Sequence, residues 1–444
     1  MRTPIIDFAE KYASSSAKRF HMPGHKGSGI LGVEATDITE ITGADVLYSA
    51  KGIIKESEEN AAKLFDTEKT FYSTEGSSLC IRAMLYLLSQ SAKEKGKKPL
   101  ILAARNAHKT FISAAAIMDI DVEWFFGGED LLSCTIDLEL LENAIKEHSP
   151  TALYITSPDY LGNIADIKKV AELCHRYKVV LAVDNAHGAY LKFLNPSLHP
   201  MDLGADICCD SAHKTLPVLT GGAYLHISKN ADSIFADMAE NALSLFASTS
   251  PSYIILQSLD GANKIMSRPG FVGDILKISE MVKALVARLK AAGYNAFLGE
   301  PLKLTICARD YGYRGSELAK LLENQNIFPE FADPDFLVLM FSASSTKSEI
   351  KALEEVLLSI QRKPKIEIIL PIFRKASKKI SPNKAVNSLC ERVSAEKAVG
   401  RILATASINC PPAVPILVCG EEITENAIEW FKYYNIKEVF VVKE

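Results

Sequence analysis

Between residues 60 and 230 the chain alternates short apolar runs with longer stretches whose apolar positions recur every three or four residues. The short runs are "TFYST" (70–74), "PLILAA" (99–104), "DVEWFF" (121–126), "ALYIT" (152–156), "VVLAVD" (179–184), "DICCD" (206–210) and "GAYLHI" (222–227). Several are apolar at consecutive rather than alternate positions, the pattern of strands covered on both faces. The stretches between them, such as 138–148 and 165–177, have helical spacing and the length of crossover connections. The pattern predicts an α/β fold with a mostly parallel sheet.

Beyond that region the period changes. Ile275, Ile278, Met281, Val282 and Leu285 fall on one helical face, so a long helix is predicted over 271–292, stopped by Gly293 and bridging to a second domain. Residues 300–362 alternate strand patterns ("LKLTICA", "DFLVLMFSA") with helical ones (316–325, 346–361), a small α+β unit. A Lys-rich, Pro-punctuated stretch, 362–384, leads to a last unit containing "CPPAVPILVCGEEIT" and ending on the strand-like "EVFVV". The expected domains are 1–270, 271–362 and 363–444.

Composition narrows the function classes. A chain of 444 residues exceeds one ordinary core. Its net charge of -4 supplies no positive field for nucleic acid or anionic lipid, so neither is an expected partner. No apolar run is long enough to cross a bilayer, and Asp7, Glu10 and Lys11 interrupt the N-terminus where a signal peptide needs its apolar segment. A cytoplasmic location is expected. The nine cysteines are scattered without C-x-x-C or zinc spacing, so reduced, mostly buried thiols are expected, with neither a disulfide framework nor a structural metal.

Candidate chemistry begins with a motif that misleads. Gly27, Gly29 and Gly32 satisfy G-x-G-x-x-G, but "RFHMPGHK" before them is no strand and "VEATDITE" after them opens a helix poorly, so a glycine-rich turn is expected. "FYSTEGSSLCIRAMLYLL" is different: a strand runs through Thr74, Gly76, Ser77 and Ser78 into a helix, where free N–H groups and hydroxyls favour a phosphate. Serine N-capping explains the same letters equally well. Asp184 and Lys214 each follow an apolar strand, which in a parallel sheet places both at the carboxyl edge where ligands bind, and His187 follows the Asp by three positions. A lone Asp there is usually a cap and a lone Lys a surface charge. Taken together, an amine, an acid and a phosphate turn are the set that pyridoxal phosphate needs.

The chain resembles the Orn/Lys/Arg decarboxylases, fold-type I pyridoxal-phosphate enzymes with the aspartate-aminotransferase fold. The resemblance rests on "RFHMPGHKGSGI", "DITEITGADVLYSAKGIIKESEENAAKLF", "FYSTEGSS", "ARNAHKT", "TSPDYLGNIADI", "VDNAHGAYL", "DSAHKTLPVLTGGAYLH" and "STSPSY" in family order, with "INCPPAVPILVCGE" matching the family's C-terminal domain. It implies Lys214 as the Schiff-base lysine, Asp184 as partner of the pyridinium nitrogen and His108 stacked on the ring. It implies a phosphate held by Gly76, Ser77, Ser78, Ser211 and His213, with His187 lining the pocket or orienting Asp184. Thr249 would reach the phosphate of a neighbouring subunit, since the family builds its sites at a homodimer interface. The chain looks like the short form, lacking the receiver-like wing of larger members, and Gly221 stands where many relatives carry a larger polar residue.

The expected reaction is decarboxylation of lysine, arginine or ornithine. Glu34, Asp37, Glu40 and Asp45 are candidates for receiving the distal cation of such a substrate. One alternative is an aminotransferase, for which Arg309 or Arg314 would clamp the α-carboxylate. Another is a regulatory cofactor-binding protein without turnover, against which the complete Asp184/Lys214 pair argues.

Overall fold

The structure, a computed structural model, describes residues 1–126, 135–410 and 414–444. Seven strands follow the seven apolar runs within one or two residues: β1 (Lys69–Ser73), β2 (Leu100–Ala104), β3 (Asp121–Phe125), β4 (Ala152–Thr156), β5 (Val180–Asp184), β6 (Ile207–Asp210) and β7 (Ala223–Ile227). They form one sheet in the order β1-β7-β6-β5-β4-β2-β3. The all-apolar runs are the buried ones: every residue of β6 and β7 is buried, as are Leu181, Ala182, Val183 and Asp184 of β5. The sheet is mostly parallel, as expected, with one reversal. β7 runs antiparallel to β6 and to β1, while β5 and β6 run parallel. Hence β1, β5 and β6 all point their carboxyl ends the same way.

By contacts the chain divides into two compact units, Met1–Pro99 with Thr151–Leu153 and Ile167–Ile275, and Leu100–Pro150 with Tyr154–Asp166 and Leu276–Glu444. In the first, the helix Gly76–Glu94 buries Leu79, Cys80, Ala83, Met84, Leu87 and Leu88. The helix Tyr253–Met266 starts where the Ser252 hydroxyl accepts from Ile255 N. The "GSGILG" segment forms turns, as expected. Gly27 there has φ +87°, and a Cβ on it would strike the Arg19 guanidinium, which donates to Ala35 O at 2.6 Å.

In the second unit β2 pairs in parallel with β3, and β8 (Ala296–Phe297), β9 (Lys303–Cys307), β10 (Phe331–Ala332) and β11 (Phe336–Met340) form an antiparallel sheet. The helices Gly315–Glu323 and Lys347–Ser359 lie on the two predicted stretches. Thr346 and Glu349 close a reciprocal capping box at the start of the latter. The expected long helix spans Phe271–Ala291, and Gly293 ends it with φ +91°. Near the C-terminus β12 (Cys390–Ser394) pairs with β15 (Glu438–Val442), and β13 (Ser407–Cys410) with β14 (Val414–Val418). Their core gathers Leu403, Ile416, Ile423, Phe431 and Val441. Residues 411–413 of the "INCPPAVPILVCGE" motif lie outside the described residues.

No helix among the described residues is long and apolar enough to cross a membrane. The seven cysteines described as free thiols include Cys80, Cys174, Cys208, Cys209 and Cys419, all buried.

Candidate active site

β5 and β6 lie side by side in parallel with Asp184 opposite Cys209, so the residues that follow them emerge at one edge of the sheet. Asp184, 1% exposed, accepts from Ala186 N at 3.2 Å and from Cys209 Sγ at 3.7 Å. His187 is buried in the turn beyond it. Lys214 stands in the single helical turn Ala212–Thr215 after β6, and its Nζ lies 2.9 Å from His187 Nε2. The amine expected after one strand and the histidine expected after the other therefore share a hydrogen bond. An ammonium donates to a neutral imidazole, and a neutral amine accepts from Nε2–H, so the pair provides a short route for a proton.

The serine turn reaches the same edge. β1 points its end this way, and Gly76, at φ +71°, donates its N–H to Gly221 O at 2.7 Å. Ser211 Oγ donates to Ser77 Oγ at 2.7 Å, leaving the Ser77 O–H to donate outward. Glu75 is the N-cap of the helix Gly76–Glu94 and makes no side-chain cap bond. Capping by Ser77 or Ser78 thus does not account for the motif: both lie inside the first turn. Two hydroxyls at an uncapped, 19-residue helix start form a donor set suited to a phosphate. His213 Nδ1 lies 3.0 Å from Gly222 O and donates to it. Its Nε2 can then donate to an anion only as imidazolium.

Gly221 has φ +99°, and a Cβ there would stand 2.9 Å from Thr74 O. A side chain at this position is therefore strained in the backbone adopted here.

Sequence reading missed the carboxylate beneath this edge. Asp210 is fully buried and accepts from His199 Nε2 at 3.0 Å, His226 Nε2 at 3.1 Å, Asn185 Nδ2 at 2.7 Å and Cys208 Sγ at 3.8 Å. Burial opposes its ionisation, but the two histidines outweigh this and hold the carboxyl below the usual range. Burial also keeps the His226 imidazole below its ordinary pKa. His199 Nδ1 accepts from Met201 N at 3.3 Å, so its proton is on the nitrogen facing Asp210. His199, Cys208 and Asp210 lie close enough for a metal, but these bonds already use the ring nitrogens and both carboxylate oxygens. Asn185 and Ser211 adjoin Asp184 and Asp210, so the network ties together the turns after β5 and β6.

His108, in the second unit, caps the helix Lys109–Ile117, its Nδ1 accepting from Thr110 N at 3.3 Å. Thr249 is exposed in the loop before Tyr253. Of the acids considered for the substrate cation, Asp45 accepts from five backbone N–H groups, those of Val46, Lys51, Gly52, Ile54 and Lys55. Glu34 accepts from Leu31 N, Asp37 pairs with His25, and Glu40 is exposed. Arg309 Nε lies 2.7 Å from Asp335 Oδ1, an ion pair that already engages this candidate clamp. Arg314 N donates to Glu317 Oε2 at the start of the helix Gly315–Glu323.

Comparison with known proteins bears on this arrangement. A family model described as the Orn/Lys/Arg decarboxylase major domain matches residues 3–297, and one described as the C-terminal domain of that family matches 373–443. The chain is 29% identical to an arginine decarboxylase of Bacillus subtilis, over 96% of this chain and 92% of that one. It is 30% identical to an arginine decarboxylase of Halalkalibacterium halodurans, over 98% and 94%. Among solved structures, lysine decarboxylase A from Pseudomonas aeruginosa superposes with a TM-score of 0.82 at 16% identity, covering 99% of this chain and 80% of that one. A likeness at that identity speaks for the fold alone.

Proposed function

Because this chain belongs to the Orn/Lys/Arg decarboxylase family and is a decarboxylase of basic amino acids, we propose that arginine is its substrate and that the edge formed by β1, β5 and β6 holds pyridoxal phosphate. The observation that carries the site is the delivery of Asp184 and Lys214 from adjacent parallel strands, with His187 bonded to the amine. The choice of arginine rests on the two relatives of that name, matched over nearly their whole length.

The donor set fits the cofactor. Pyridoxal phosphate, when bound, supplies an aldehyde for the amino group and a protonated ring that takes up the electron pair released as carbon dioxide leaves. Lys214 provides the amine that anchors it. The buried Asp184 carboxylate keeps a proton on the ring nitrogen by opposite charge in a site of low dielectric. Ser77, Ser78 and His213 bind the phosphate with the N–H groups that follow Gly76, and Ser211 supports it through its bond to Ser77. His108 faces the ring, an assignment resting on its "RNAHKT" motif. Lys214 Nζ and His187 Nε2 hold and pass the proton that replaces the lost carboxylate at Cα. Thr249 serves the site of a neighbouring subunit in a homodimer.

The test is to incubate the holoenzyme with arginine, lysine and ornithine while following carbon dioxide and amine. Gas release should be greatest with arginine, and Lys214→Ala should abolish it. Preference for lysine or ornithine would overturn the substrate. Amino exchange that depends on a keto acid and proceeds without gas would overturn the reaction.

A further inference from the structure

Arg105 stands three residues before His108 in the run "ARNAHKT", and it is 4% exposed. Its guanidinium is committed far along the chain. Nε donates to Pro415 O at 3.1 Å and Nη2 to Ile416 O at 3.3 Å. Nη1 and Nη2 also form a fork onto Glu421, at 2.9 Å to Oε1 and 2.8 Å to Oε2. Glu421 Oε2 accepts from Val418 N at 2.9 Å as well, so the carboxylate is fixed from its own side. The guanidinium carbon sits 5.0 Å from the centre of the Trp124 ring.

The far end of the same helix is also held. His108 opens the helix Lys109–Ile117, and near its last residue Ala116 O accepts from Asn383 Nδ2 at 2.9 Å. Asn383 lies in the helix Pro382–Asn387. Beside these contacts the Phe126 and Phe373 rings pack with centroids 5.6 Å apart. The residues from 373 onward therefore hold both the loop that leads into this helix, at Arg105, and the helix's far end, at Ala116.

A buried Arg–Glu pair is a poor source of net stability, since removing two charges from water offsets most of their attraction. A planar fork supplies direction instead, because guanidinium and carboxylate meet in one plane along two bonds. The backbone that receives that direction leads within three residues to the imidazole.

We propose that the C-terminal segment sets the pose of His108, with Glu421 acting through Arg105, and Asn383 through the helix, as positioning residues for the cofactor site. This rests on the assignment of His108 to the cofactor ring. The segment is then part of the binding apparatus although it supplies no group to the ligand.

The experiment titrates the full-length apoprotein with pyridoxal phosphate and records both the affinity and the absorption band of the bound cofactor. It compares Glu421→Gln, Asn383→Ala, His108→Ala and the double variants that combine each of the first two with the third. Glu421→Gln should weaken binding by roughly tenfold, by analogy with the lower end of the loss when a partner that orients a metal-binding histidine is removed, and should shift the band. In the His108→Ala background neither Glu421→Gln nor Asn383→Ala should cause further loss. Losses that multiply would overturn the proposal. If His108→Ala weakens binding and Glu421→Gln does not, the positioning role fails while the ring assignment stands. If His108→Ala changes neither affinity nor band, both fail. Thermal melts of the apoproteins check folding, and Asn383→Ala, which deletes one partly exposed hydrogen bond, carries the test should Glu421→Gln not fold.

Discussion

At the scale of single residues, Glu58 shows how burial writes a pH dependence into this chain. It is 8% exposed, its Oε1 accepts from Tyr72 N at 2.9 Å, and burial pushes its carboxyl up to about 8. The native state therefore keeps this proton across a range where the unfolded chain has lost it. Stability falls as pH rises from about 4.5, the ordinary glutamate value, and levels off above about 8. Glu58→Gln retains the acceptor and removes the titration. The variant should melt with the parent near the lower limit and above it at about pH 9; a gap that does not widen with pH would refute this account. Asp210 is the opposite case, a buried carboxylate kept anionic by its donors. The letters around Lys214, Asp184 and Ser77 were legible because each sits where a strand ends. Asp210 ends a strand too, yet its role was hidden, since His199 and His226 reach it through the fold rather than through spacing. Arg105 was hidden for the same reason, its partner Glu421 lying 316 positions away.

At the scale of elements, apolar runs disclosed all seven strands of the large sheet, most plainly β4 to β7, whose central positions are buried on both faces. Strand direction left no such mark. β7 carries the same letters whether it runs with or against β6, and the link between Asp210 and Ala223 is long enough for either direction, so the reversal could not be read from the sequence. That link depends on Gly221. Gly221→Ala should cost about 1 to 3 kcal/mol, since it combines a left-handed backbone with a close approach to Thr74 O. Urea unfolding of the apoprotein measures this directly; a loss below about 0.5 kcal/mol, the range of ordinary surface changes, would show that the turn relaxes freely. The acids weighed for substrate binding were misleading for a local reason. Asp45 looked available in a loop, but it is the acceptor that organises the start of the helix Ile53–Phe65.

At the scale of the whole molecule, the proposed site is completed by a neighbour, with Thr249 standing exposed in a loop of a single chain. Sedimentation equilibrium should therefore give twice the chain mass of 48.6 kDa, and a species of single mass at assay concentrations would exclude sharing of the site. The reversal of β7 matters here as well. Since β6 and β7 pair antiparallel with Ile207 opposite Ile227, the proposed anchoring amine of Lys214 is carried in the link of a hairpin, while Asp184 is joined to β6 by the longer crossover between two parallel strands. Loop-closure entropy is small for the first and larger for the second. The strand pair that carries the proposed anchoring amine is thus the less costly to bring together as the chain folds, and the pairing that delivers Asp184 closes the longer loop.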